Sequence, residues 1–175
     1  TLSGGYLYSN ITIPDWYYFT FAKTVEGEIC IEWPDTFTLW TYTTQNTGQI
    51  VSIQSDYFKV DDQKWSNGGY YTTLSISNLT WTSWWNIISS ASSVQIRATT
   101  IDTLSGTANA SVILDTSINS YISANTPVTF IRRDIGAGIG IQWTYGSKID
   151  FRIIIPAYQR ADTYTWIITY TLYEN

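Results

Sequence analysis

At 175 residues the chain is long enough for one domain with a substantial buried core. Hydrophobic residues make up 44 % of it, which excludes a disordered tail, while charged residues reach only 13 %, about half the usual share. A net charge of −5 and a pI near 4.4 exclude the broad basic face that a nucleic-acid partner requires.

The chain opens TLSGGYLYSNITIP. Leu7, Ile11 and Ile13 share one strand parity, and Leu2, Tyr6 and Tyr8 the other; Gly4-Gly5 loosens the start and Pro14 stops the run. Two readings stand open. Ile13-Pro14-Asp15-Trp16 fits a type I turn, which would fold residues 6–13 back as an ordinary first strand. Alternatively, residues 1–14 form an arm that leaves its own domain and pairs with a neighbour's sheet.

The period stays at two along the rest of the chain. Tyr17, Phe19 and Phe21 alternate in one strand, and Ile29, Ile31 and Trp33 in the next, with Cys30 expected to pack beside them as a small apolar residue. Further runs follow at Phe37/Leu39, Ile50–Ile53, Tyr57–Val60, Tyr70–Ile76, Val94–Thr99, Ala108–Leu114, Val128–Ile131, Ile139–Tyr145 and Ile149–Ile155. The final strand is the cleanest, with Tyr164, Trp166, Ile168, Tyr170 and Leu172 on one face and Thr163, Thr165, Ile167, Thr169 and Thr171 on the other. Turn signals at Pro34-Asp35, Asn46-Thr47-Gly48, Asn67-Gly68-Gly69, Ser105-Gly106 and Gly146-Ser147 punctuate these runs. About ten to twelve short strands at this spacing predict an antiparallel β-sandwich or jelly roll. Residues 81–93 alone read as a helical turn or an aromatic loop. The expected organisation is an N-terminal arm, 1–14, and a β-sandwich head, 15–175.

The residues leave little room for catalysis. The chain has no His, which excludes a Ser-His-Asp or Cys-His site, and one Cys, which excludes an internal disulfide and a Cys/His metal cluster. The aromatic, Thr-rich composition resembles small jelly-roll glycosidases, which need two carboxylates about 5–5.5 Å apart. Glu28 and Glu32 share a strand face, but it lies opposite Ile29, Ile31 and Trp33, and the glutamate-bearing strand motifs of those families are missing. Gly136, Gly138 and Gly140 fall at period two, so they read as a bare strand face rather than a phosphate loop. Arg132-Arg133, the only basic doublet, reads as a solvated strand end. Trp81, Trp84 and Trp85 would roof the core or stack on sugars. No catalytic residue, metal or cofactor is expected, and no apolar run reaches the length of a membrane span.

Three sequons mark candidate N-glycosylation sites: Asn10, Asn78 and Asn109. The absence of Met, including at the first position, leads to the expectation that a signal peptide has been removed and that the chain is extracellular.

The closing run ADTYTWIITYTLYEN looks like the last strand of pilin-type and surface β-sandwich domains. With the N-terminal arm, the missing Met and His, the low charge and the sequons, the chain resembles the archaeal thread-like filament subunits of the Sulfolobales. That resemblance implies a secreted, glycosylated, Ig-like or pilin-like head that polymerises by donor-strand exchange at the cell surface, in adhesion or biofilm. Its partners would be identical subunits and N-linked glycans. Under this reading Leu2, Tyr6, Leu7, Tyr8, Ile11 and Ile13 form the donor strand. Burying about five such side chains would contribute roughly 8–15 kcal/mol before ordering costs. The other readings are a secreted carbohydrate-binding or glycosidase-like jelly roll, and a viral coat or appendage protein of the same class.

Overall fold

The computed structural model describes residues 4–11, 29–34, 46–63, 68–81, 87–106, 111–136, 143–159 and 164–175, with 4–11 and Trp81 described by backbone alone. In chain order the strands are β1 (Gly4–Ile11), β2 (Ile29–Glu32), β3 (Gln49–Asp62), β4 (Tyr70–Ile76), β5 (Leu79–Trp81) and β6 (Ile87–Ile88). A single helical turn, α1 (Ser90–Ser93), precedes β7 (Val94–Arg97), β8 (Asp102–Ser105) and β9 (Val112–Leu114). A 3-10 turn at Thr116–Asn119 leads to β10 (Ile122–Ser123), β11 (Val128–Arg133), β12 (Trp143–Ile155) and β13 (Tyr164–Glu174).

These strands form two antiparallel sheets. The first runs β6-β5-β13-β4-β11-β9, with β1 added on β13; the second runs β10-β7-β12-β3-β2, with β8 added on β12. The expected antiparallel β-sandwich is the fold. Tyr164, Trp166, Ile168 and Tyr170 of β13 and Tyr70, Leu74 and Ile76 of β4 are buried. They pack with Val51, Phe58 and Val60 of β3, Val94 and Ile96 of β7, and Tyr145, Phe151 and Ile153 of β12. Aromatic edges tie the layers together: Phe58 meets Phe130 at 6.2 Å and Tyr170 at 5.5 Å, and Trp33 meets Tyr170 at 5.2 Å.

Where the ladders slip, hydroxyl side chains take the place of backbone partners. Between Thr129 and Arg132 the β4–β11 register shifts. There buried Thr72 Oγ1 accepts from Ile131 N at 3.0 Å and donates to Ile131 O at 3.1 Å. Between Lys148 and Asp150 the β3–β12 register shifts, and Ser55 Oγ accepts from Ile149 N at 2.9 Å. Between β4 and β5, Ser77 Oγ accepts from Ile167 N at 2.8 Å. At each of these positions a backbone N–H would otherwise lose its partner.

Several local expectations are corrected. Arg133 is no solvated strand end: it is 1 % exposed and its Nη1 donates to Asp62 Oδ2 at 3.1 Å, joining the sheets through the core. The bulge before it reverses the strand's parity, so Phe130 and Ile131 are both buried and Arg133 follows them inward. Gly146-Ser147 is not a turn but the middle of β12, where a Cβ at Gly146 would meet Leu104 Cδ1 at 2.7 Å. The expected runs Ile50–Ile53 and Tyr57–Val60 are one strand, β3. Gly136 stands in an exposed turn at φ +78 rather than on a strand face, and Gly138 and Gly140 lie outside the described residues. Cys30 is half-buried and stands opposite Asp61, on the parity of Glu32 rather than that of Ile29 and Ile31. The expected strands at Tyr17–Phe21 and Phe37/Leu39 lie outside the described residues.

Candidate functional site: the β1–β13 edge

The residue pattern of β13 fixes what its outer edge offers. Its buried face alternates with Thr165, Ile167, Thr169 and Thr171, all half-buried. Along one edge β4 and β5 succeed each other, with Ile76 opposite Ile168 and Thr80 opposite Thr165. The other edge carries β1 over its full length. Gly5 stands opposite Tyr170, Leu7 opposite Ile168, Ser9 opposite Trp166 and Ile11 opposite Tyr164, so these positions face β13's buried set. Tyr6, Tyr8 and Asn10 stand opposite Thr169, Ile167 and Thr165.

The expectation that residues 2–13 leave their own head is not confirmed: residues 4–11 pair antiparallel with β13 of the same chain. The physical reason is that β13's outer edge presents an open ladder, and a period-two segment on the same chain fills it as a neighbour's would. The pairing is not the Pro14 hairpin either, because β1 joins the last strand of the chain. Leu2, Ile13 and Pro14 lie outside the described residues.

Of the sequon asparagines, Asn78 is exposed between β4 and β5. Its Oδ1 accepts from Ser90 N at 2.9 Å and Ser90 Oγ at 3.1 Å, holding the start of α1. With Oδ1 so engaged, the amide is oriented, and among the described residues its Nδ2 has no hydrogen-bond partner. In the same sequon Thr80 Oγ1 meets Thr165 Oγ1 at 3.0 Å. Asn10 lies within β1, and Asn109 lies outside the described residues.

Glu32, from the tested carboxylate pair, sits 3.5 Å from Lys59 Nζ, and Glu28 lies outside the described residues. Trp81 pairs with Tyr164 through its backbone, while Trp84 and Trp85 lie outside the described residues. Among the described residues no three His, Cys, Asp or Glu side chains gather to hold a metal, and no helix is long and apolar enough to cross a membrane. Sequence reasoning missed the Asn78–Ser90 contact, since a cap supplied from twelve residues upstream leaves no local pattern.

The fold and this edge define an antiparallel β-sandwich with an N-terminal edge strand. No protein-family model matches the chain, and neither a curated protein nor a solved structure is similar to it.

Proposed function

We propose that the protein is a non-catalytic structural subunit of an extracellular filament, and that copies join by exchanging β1. The observation that carries this reading is the position of β1. Among the described residues it pairs with β13 alone, and the path β6-β5-β13-β4-β11-β9 is continuous without it. A second copy's β1 can take the same edge in the same register and form the same ladder. The same-chain form is then the closed subunit and the exchanged form the open polymer. Strand exchange forms new links without new contact chemistry, and a head-to-tail link of this kind does not close on itself.

Glycan attachment at Asn78 belongs to the same proposal. Support comes from its exposure and from the Oδ1 contact that turns Nδ2 away from Ser90. Asn10 and Asn109 are the other acceptors.

Removal of residues 1–13 tests the assembly. The truncated head should stay folded, fail to form fibres in negative-stain micrographs, and gain several degrees in Tm when a peptide of residues 1–13 is added. Fibres that form as before without β1 would refute the joint. Intact-mass measurement of native protein should exceed the bare polypeptide, and Asn78→Asp should remove one glycan's mass.

A further inference from the structure

The outer face of the second sheet holds a charge arrangement on strands other than β1 and β13. On β12, Asp150 stands between Arg97 of β7 and Gln54 of β3, and Arg152 stands between Gln95 and Ser52. Arg97 grips Asp150 Oδ2 with Nη2 at 2.8 Å and Nε at 3.3 Å, and Gln54 Nε2 donates to Asp150 Oδ1 at 2.9 Å. Arg97 also lies 4.6 Å from the centroid of the Tyr121 ring, and Arg152 lies 5.4 Å from the same centroid. Two guanidinium groups therefore converge on one ring, while the single carboxylate between the rows is committed to Arg97. Among the described residues, Arg152 has neither an ion-pair partner nor a hydrogen-bond partner. The other described Arg and Lys side chains differ: Lys59, Arg97, Arg132 and Arg133 each have a carboxylate within 4.0 Å, and Lys148 sits over Tyr57. Beside Arg152, Gln95 Oε1 is closed from solvent and has no donor among the described residues.

From this arrangement we infer that the Arg97–Tyr121–Arg152 cluster is a binding site for an acidic saccharide, one that carries a carboxylate or sulfate on a sugar ring. The uncompensated guanidinium of Arg152 supplies a forked pair of donors suited to a carboxylate or sulfate group. Stacking on Tyr121 holds it in place, so little side-chain freedom is lost on binding. Ser52 and Gln54, exposed in the same rows, add a hydroxyl and an amide that can hydrogen-bond a sugar's hydroxyls. One surplus positive charge on a chain of net charge −5 fits an isolated acidic group and does not fit the dense phosphates of nucleic acid. The inference does not depend on strand exchange.

Affinity electrophoresis of the full chain tests it, in native gels cast with polygalacturonate, dextran sulfate or uncharged dextran. Retardation by at least one charged polymer and none by dextran is expected, with the effect vanishing near 1 M salt, where screening acts over about 3 Å. Arg152→Ala should weaken retardation roughly tenfold or more, the loss expected from one charge-assisted hydrogen bond, without moving Tm. Lys59→Ala, elsewhere on the same sheet, should leave it unchanged. Equal retardation by dextran, no retardation by either charged polymer, or an unaltered Arg152→Ala would each overturn the site. An Arg152→Ala variant that loses self-association while keeping full retardation would assign the cluster to contacts between copies instead.

Discussion

Arg133 of β11 and Asp62 of β3 meet at 3.1 Å with side chains 1 % and 3 % exposed, so a full ion pair crosses from one sheet to the other inside the core. Tyr70 lies against it, its phenol held neutral by burial first and by the charge of Asp62 second. Neither charge reaches water, so their pairing replaces part of the solvation each has lost.

Removing one partner should therefore be far worse than removing both. Arg133→Met leaves Asp62 buried and is expected to destabilise the domain by about 3–5 kcal/mol. The double variant Arg133→Met/Asp62→Leu should recover most of that loss. Urea unfolding of the two variants and the parent checks it; a double variant as unstable as the single one would show that the pair is not the coupled unit.

Thr72→Val keeps the shape of the side chain and removes the hydroxyl that bridges Ile131 N and Ile131 O at the β4–β11 bulge. With both backbone groups left inside, a loss of roughly 2–6 kcal/mol is expected, about 1–3 kcal/mol for each group. Hydrogen exchange at the Ile131 amide should accelerate more than at β12 amides. Uniform protection in the variant would mean that another donor covers the bulge.

Asp115 precedes the 3-10 turn and accepts from Ser117 Oγ at 2.7 Å and Ser117 N at 3.0 Å. The Ser117 hydroxyl, then its backbone N–H, hold the Asp115 carboxyl below its usual range against a smaller desolvation effect, and Arg132 adds to the lowering. A folded-state pKa below the unfolded one means that this stabilisation is complete above about pH 3.9 and is lost as pH falls through the lowered value. Asp115→Ala should cost about 0.5–2 kcal/mol near neutral pH, with the gap to the parent closing in stronger acid. A constant gap across that range would place the contribution outside the ionised carboxylate.

The sandwich was legible because long strands keep their period. Tyr164, Trp166, Ile168 and Tyr170 alternate without interruption, and β4 runs over Tyr70–Ile76 as the residues indicate. What escaped lies where a bulge or a close approach breaks the period. Arg133 points inward because one extra residue before it reverses the parity, and Gly146 is required by Leu104 rather than by a turn. Thr72, Ser55 and Ser77 look like surface hydroxyls in the sequence, yet each serves a ladder irregularity that only the fold creates. The arm is a different case. Its parity matches the β13 register, with Leu7 opposite Ile168 and Ile11 opposite Tyr164, but the same ladder forms within a chain or between chains. Periodicity carries no information on which of the two is chosen.

Exchange of β1 is tested most directly by a mixed cross-link. Tyr8 and Ile167 stand directly opposite each other, and antiparallel partners have Cα atoms about 4.5–5.5 Å apart, within the span of a disulfide. One population carries Tyr8→Cys, the other Ile167→Cys, and both carry Cys30→Ser so that no other thiol competes. Assembled together and oxidised, they should yield covalent dimers that dithiothreitol releases, because only a β1 lying on another copy's β13 brings the two thiols together. Fibres that form while both populations remain monomeric on denaturing gels would show that β1 stays on its own chain and would contradict strand exchange.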